Sequence, residues 1–229
     1  MSTTPPSVHH TSLPVEAAPD CLDGSHQAPP ELVTQADLEY LEWYVGERRG
    51  YAYQRHEGAA PSQWRQLRAE FGRFDDAALR RHLIGHTSLA TTAGLDPNLE
   101  RRGRVTRHVL VDIDACLRPD APHEDGVLAR VRGVEGALGE PSFGLQTPGG
   151  GVHLYYVFPE PYPLLRLRGP AGDTGVVPRL LRAHGLEVRS AWLEVYPSAH
   201  LAGRLGQTAR LPFGGGTYLL DPYDWSPWS

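Results

Sequence analysis

The chain contains no lysine: all 22 of its basic residues are arginine. Schiff-base chemistry and a Walker-type phosphate loop both need a lysine amine, so both are excluded. Only two cysteines occur, Cys21 and Cys116, too few and too far apart for a disulfide framework or a four-cysteine zinc site. Long apolar runs are absent too. Nothing approaches the roughly 18 residues of a membrane span, and the start Met-Ser-Thr-Thr-Pro-Pro has no signal-peptide pattern. The expectation is a soluble, cytoplasmic protein with no membrane partner. Excess positive charge is also lacking, at a net −5, which argues against a generally basic nucleic-acid coat. A local arginine groove stays open.

What is present begins with 229 residues, of which 40% are hydrophobic, enough for one domain with a real core. Glycine (25) and proline (21) together make about a fifth of the chain, a composition rich in turns. Residues 1–30 hold six of the prolines, three histidines and no arginine, so they read as a disordered tail that cannot offset its ordering entropy. The remainder, 31–229, reads as one unit: a helical lobe over 31–86 and a catalytic core over 87–221.

In the lobe, Leu38, Leu41, Trp43, Tyr44 and Val45 predict a helix capped by Thr34 or Asp37. A second helix is predicted from Ser62 through Trp64, Leu67 and Phe71. A third runs from Asp75 or Asp76 through Leu79 and Leu83 to a stop near Gly85. These segments carry Arg48, Arg49, Arg55, Arg65, Arg68, Arg73, Arg80 and Arg81, mostly a solvated face, with a minority available to a nucleic-acid backbone. Beyond Gly85, strands are predicted at Ser88–Ala93, Arg107–Ala115, Ser142–Gln146, Val152–Phe158, Ala191–Tyr196, Ala209–Phe213 and Tyr218–Leu220. Helices are predicted at Glu124–Leu138 and near Val176–His184. The order strand–helix–strand–strand–helix–strand is that of an α+β, RRM-like (split βαβ) sheet with helices on one face.

Three motifs carry chemistry. In Val109-Leu-Val-Asp-Ile-Asp114, alternation sends Val109, Val111 and Ile113 one way and Leu110, Asp112 and Asp114 the other. Two carboxylates about 7 Å apart along a strand repel unless a cation lies between them, which points to Mg2+ or Mn2+ on oxygen ligands. The bland reading, two solvated acids at a strand end, carries equal weight for Asp-x-Asp by itself. In Thr147-Pro-Gly-Gly-Gly-Val-His153, the amides of Gly149, Gly150 and Gly151 can approach an anion, and His153 shares a strand face with Gly151 and Tyr155; an anion contact and a satisfied structural histidine carry equal weight. In Trp192-Leu-Glu-Val-Tyr-Pro197, alternation places Glu194 between Trp192 and Tyr196. Its ordinary partner would be a distant arginine; its functional role would be a third metal ligand. Arg210, in Ala209-Arg-Leu-Pro-Phe, could clamp a phosphate or make an ordinary ion pair.

In this order the motifs resemble the archaeo-eukaryotic primase superfamily, most of all the primase–polymerase domains of plasmids, phages and mobile elements. The resemblance covers about residues 80–216. It implies a template-directed nucleotidyltransferase, a DNA primase or polymerase, with Asp112, Asp114 and Glu194 as catalytic metal ligands for Mg2+ or Mn2+. It also implies nucleotide binding by His153, with Gly149, Gly150, Gly151 and Arg210 beside it. The implied partners are a single-stranded DNA template and nucleoside triphosphates; a helicase or replication protein would come from another chain. One departure stands out: family members often carry serine or lysine just before the histidine, where this chain has Pro148-Gly-Gly-Gly151. The alternative is a catalytically degenerate primase-like domain that binds nucleic acid or a replication or defence partner. A rolling-circle initiator would need a second histidine on the strand His153-Leu-Tyr155, and there is none.

Overall fold

A computed structural model describes residues 33–45, 51–55, 65–67, 75–85, 87–91, 94–95, 104–114, 124–147, 149–170, 174–188, 192–197, 209–214 and 217–227. The predicted tail, 1–30, lies outside these residues. Helix α1 (Gln35–Val45) opens with a reciprocal cap in which both named residues take part. The Thr34 amide donates to Asp37 Oδ2 at 2.8 Å, and the Asp37 amide donates to Thr34 Oγ1 at 3.3 Å. Strands β1 (Tyr51–Arg55) and β2 (Arg65–Leu67) follow, then helix α2 (Asp76–Leu83), whose first turn is capped by Asp75 Oδ1 accepting from the Ala78 amide. The helix expected from Ser62 is therefore corrected over 65–67. These residues pair antiparallel with β1, Tyr51 opposite Leu67, so a non-local partner overrides a weak helical pattern. The N-terminal lobe is mixed, not purely helical.

Strand β3 (Thr87–Thr91) joins β1, and the short β9 (Ala209–Arg210) joins β3, giving a four-stranded antiparallel sheet in the order β2-β1-β3-β9. The second sheet is built on β5 (Arg104–Ile113) and β7 (Val152–Pro163), with β6 (Phe143–Gln146) and β10 (Tyr218–Leu219) beyond β7. The other edge of β5 is shared. Strand β4 (Gly94–Leu95) pairs with its start and β8 (Leu193–Tyr196) with its end. Every pairing in this sheet is antiparallel. The fold is α+β.

Side-chain alternation divides the second sheet as the sequence pattern predicts. Val109, Val111, Ile113, Val152, Leu154, Leu193 and Val195 face a core shared with α3 (Glu124–Leu138), α4 (Leu164–Arg168) and α5 (Val176–Ala183). Leu110, Leu145 and Tyr155 face the opposite way, into a second core with Leu38, Leu41 and Tyr44 of α1 and Leu79 of α2. The expectation of helices on one face is thus corrected. Part of the other face is covered too, because α1 presents Leu38, Leu41 and Tyr44 at helical spacing and their burial needs an apolar partner. Among the described residues no helix is long and apolar enough to cross a membrane.

The C-terminal segment closes over β6. Trp225 is buried, its indole N–H donates to Glu135 Oε2 at 3.2 Å, and its ring lies on Gly144. A Cβ at Gly144 would stand 2.5 Å from Trp225 Cζ3. Gly144→Ala should therefore destabilise the fold by about 1–3 kcal/mol, the usual cost of overpacking. Thermal melting checks this; an unchanged midpoint would mean that Trp225 does not press on the strand.

Candidate active site

The site follows from one register. Asp112 on β5 lies opposite His153 on β7 and, on its other side, opposite Glu194 on β8. Two residues earlier, Leu110 lies between Tyr155 and Tyr196 in the same way. Because alternate residues share a strand face, these six side chains form a grid of two rows and three columns. The polar row ends near the edge of the sheet, where Asp114 follows the last residue of β5 and the Asp114 amide donates to the Trp192 carbonyl at 3.2 Å. Glu194 and Asp112 thus meet on one face, as the alternation of two separate segments requires.

His153 Nε2 lies 3.2 Å from Asp112 Oδ1; the histidine side chain is 7% exposed and the aspartate 23%. His153 Nδ1 lies 3.4 Å from the Tyr155 hydroxyl, whose proton is donated to the Arg210 carbonyl at 3.3 Å. The Tyr196 hydroxyl donates to Glu194 Oε2. This tyrosine, two residues along the same strand, occupies the place where a distant arginine was the ordinary expectation for Glu194.

Electrostatics mark the same cluster. The Asp114 carboxyl is pushed above the usual carboxylate range, first by partial desolvation, then by the like charges of Asp112 and Glu194; His153 opposes them. The phenols of Tyr155 and Tyr196 are held well above their ordinary value, mainly by burial. Arg210 opposes the rise at Tyr155, and the bond to Glu194 adds to it at Tyr196. Arg210 thus reaches the cluster electrostatically from β9, on the other sheet.

Two expectations change in detail. The glycine turn closes the β6–β7 hairpin: the Gly150 amide donates to the Thr147 carbonyl at 2.9 Å, and the Thr147 amide donates to the Gly151 carbonyl at 2.8 Å. Gly150 takes a φ of 78°, where glycine has no steric cost. Its amide is engaged in the turn rather than aimed at an anion. Trp192 precedes β8, and its ring lies under the Arg130 guanidinium of α3 at 4.8 Å, not beside Glu194. The chain turns there, so strand alternation no longer applies.

The residues that sequence reasoning passed over are Tyr155 and Tyr196 as hydrogen-bonding groups. A local signal exists in the repeated pattern polar–apolar–tyrosine, His153-Leu-Tyr155 and Glu194-Val-Tyr196.

For a divalent ion the donor chemistry fits: three carboxylates gather at one sheet end, and the like charges of Asp112 and Glu194 add to the raised proton affinity of Asp114. Their side chains do not converge on a point. Among the described residues no group of three His, Cys, Asp or Glu side chains is arranged to hold an ion. Asp112 and Glu194 each turn an oxygen to a protein partner, while Asp114 is exposed.

No family model matches the chain, and no curated protein does. Among solved structures it is similar to the AEP domain of the cyanophage S-2L primase-polymerase. The identity is 17%, the alignment covers 81% of this chain and 92% of that one, and the TM-score is 0.38.

Proposed function

We propose that the chain is a template-directed nucleotidyltransferase whose catalytic groups are Asp112, Asp114 and Glu194. The observation that carries this reading is the register that puts Glu194 and His153 on either side of Asp112, with Asp114 at the end of the strand. The strand order β6-β7-β5-β8, with α3 and α5 as connections, supports the split βαβ arrangement that the sequence motifs suggest.

Asp112, Asp114 and Glu194 would hold Mg2+ or Mn2+, which supplies a lowered pKa for a 3′-hydroxyl and charge stabilisation for departing pyrophosphate. The chain's own contribution is placement. Asp112 is held in orientation by His153 Nε2, and Glu194 by the Tyr196 hydroxyl. The incoming triphosphate lies beyond this row, towards the exposed glycines Gly149 and Gly150, with Arg210 supplying positive charge. In the reaction the 3′-oxygen bonds to the α-phosphorus as the bond to the β-phosphate oxygen breaks, and pyrophosphate leaves. A single-stranded template would lie across the same face.

A second reading, a primase-like domain that binds without catalysis, is favoured by one observation: the three carboxylates do not converge. Incubating purified protein with Mn2+, labelled nucleoside triphosphates and a single-stranded DNA template separates the two. Template-dependent incorporation is the expected outcome. Single-strand binding with no incorporation under either Mg2+ or Mn2+ would replace this reading with the second.

A further inference from the structure

We propose that Phe213 is a stacking platform for the base of the incoming nucleoside triphosphate. This rests on the nucleotidyltransferase reading and adds the part of the substrate that its charged groups do not hold. Phe213 follows β9 in Leu211-Pro-Phe-Gly214 and takes a φ of 62°, a conformation that a bulky side chain rarely adopts. Glycine, which adopts it at no steric cost, is the next residue, yet the left-handed position falls on phenylalanine. The turn is held from both sides by the buried His82 of α2. Its Nε2 donates to the Pro212 carbonyl at 2.9 Å, and the Leu89 amide donates to its Nδ1 at 3.1 Å. Its ring also lies against Gly214, where a Cβ would stand 2.6 Å from His82 Cε1. Strain of this kind persists only where the surroundings fix the backbone, and what it achieves here is the placement of one ring.

That ring ends an aromatic row on the face of the acids. Tyr155 of β7 lies opposite Phe143 of β6, and their rings stack at 4.8 Å. Phe213 stacks on Phe143 at 5.1 Å with 26° between the planes, and the Tyr40 ring of α1 stands 6.0 Å from it. Tyr155 is fully buried, whereas Phe213 is 37% exposed, so the row runs from the core to solvent and finishes in an accessible ring. An exposed ring in a strained turn adds little to packing, but it offers a base a π-face. Two strands at about 4.8 Å and one two-residue step of about 7 Å separate Phe143 from Asp112, a reach that the sugar and α-phosphate of one nucleotide cover. Phe143 lies one step behind the acidic row, while the exposed Gly149 and Gly150 lie beyond it. A nucleotide laid across the row has its triphosphate at the glycines, its α-phosphorus at the carboxylates and its base on Phe213. Stacking reads no base edge, so the platform takes all four bases and leaves the choice among them to the template.

The test uses Phe213→Leu, which keeps apolar bulk without a ring, and Phe213→Trp, which keeps a ring, with thermal melting of the full chain to confirm folding. Calorimetric titration with dATP and, separately, with inorganic tripolyphosphate, both with Mg2+, separates the base from the phosphates. In Phe213→Leu the dATP Kd should rise about 10-fold, the usual scale of one base–aromatic stack, with tripolyphosphate within about twofold of wild type. Phe213→Trp should bind dATP within about twofold of wild type. In template-dependent incorporation, Phe213→Leu should raise the nucleotide KM about 10-fold and leave kcat within about twofold, because a remote stack is made alike in the ground and transition states. Equal weakening of dATP and tripolyphosphate would overturn the proposal, since the turn then only supports the phosphate site. So would unchanged dATP affinity with weakened single-stranded DNA binding, which assigns the ring to the template. A wild type that binds dATP no tighter than tripolyphosphate would overturn it too. A wild type that binds dATP through Phe213 but incorporates no nucleotide would remove the nucleotidyltransferase reading and leave the platform standing.

Discussion

Asp112→Asn should lower metal-dependent nucleotide incorporation at least about 10²-fold while leaving the protein folded. The scale follows from losing one carboxylate's share of charge stabilisation, several kcal/mol, at 1.36 kcal/mol per tenfold in rate. Folding should survive because an asparagine oxygen still accepts from His153 Nε2, and because one of three clustered like charges is gone. The metal-free variant gives a second readout. Asp114 is raised in part by Asp112, so its titration should move down towards the ordinary carboxylate value. Incorporation assays with Mn2+ and carboxyl NMR check the two effects. Full activity in the variant would remove Asp112 from catalysis, and an unmoved Asp114 would separate the two carboxylates.

A comparably large effect is expected on stability, at a residue outside the catalytic row. His108, on β5, is fully buried and stacked on Tyr44 of α1 with ring centroids 4.3 Å apart. Neither of its ring nitrogens has a hydrogen-bond partner among the described residues. Burial lowers its pKa from the ordinary 6.5 to about 3. Below pH 6.5 the unfolded chain therefore takes up a proton that the folded chain refuses until about pH 3. The unfolded state binds more protons in this window, so stability falls as pH falls. At 1.36 kcal/mol per pH unit the loss is about 2 kcal/mol by pH 5 and several kcal/mol in full.

His108→Phe removes the titration and two unsatisfied polar atoms together. It should hold or raise stability at pH 7 and outlast the wild type increasingly towards pH 4. Urea unfolding of both proteins between pH 7 and 4 measures the difference. Parallel pH profiles would show that His108 is solvated in the native state.

Much of the fold and of the site is legible in local periodicity. The alternation in Val109–Asp114, Val152–Phe158 and Leu193–Tyr196 assigns each residue to a face, because successive side chains on a strand must point in opposite directions. The helical spacing of Leu38, Leu41 and Tyr44, and the caps at Thr34 and Asp75, place α1 and α2 by similarly local rules. The same local rules misread Arg65–Leu67, whose conformation depends on a partner twelve or more residues away, and Trp192, where the strand has not yet begun.

Neighbours across strands are a different matter, since nothing local specifies which segments lie side by side. That Asp112 has His153 on one side and Glu194 on the other is set by the order β7-β5-β8, in which β5 is joined to β7 through α3 and β6, and β7 to β8 through α4 and α5. The order also makes His153 a buried partner of Asp112, and gives Glu194 a tyrosine in place of an arginine. The burial of His108 needs α1 to dock on the far face of the sheet. Periodicity is written residue by residue, so the amino-acid sequence by itself determined the faces. Register and docking are cooperative results of burying all the apolar faces at once, so only the tertiary structure decided which groups on those faces touch.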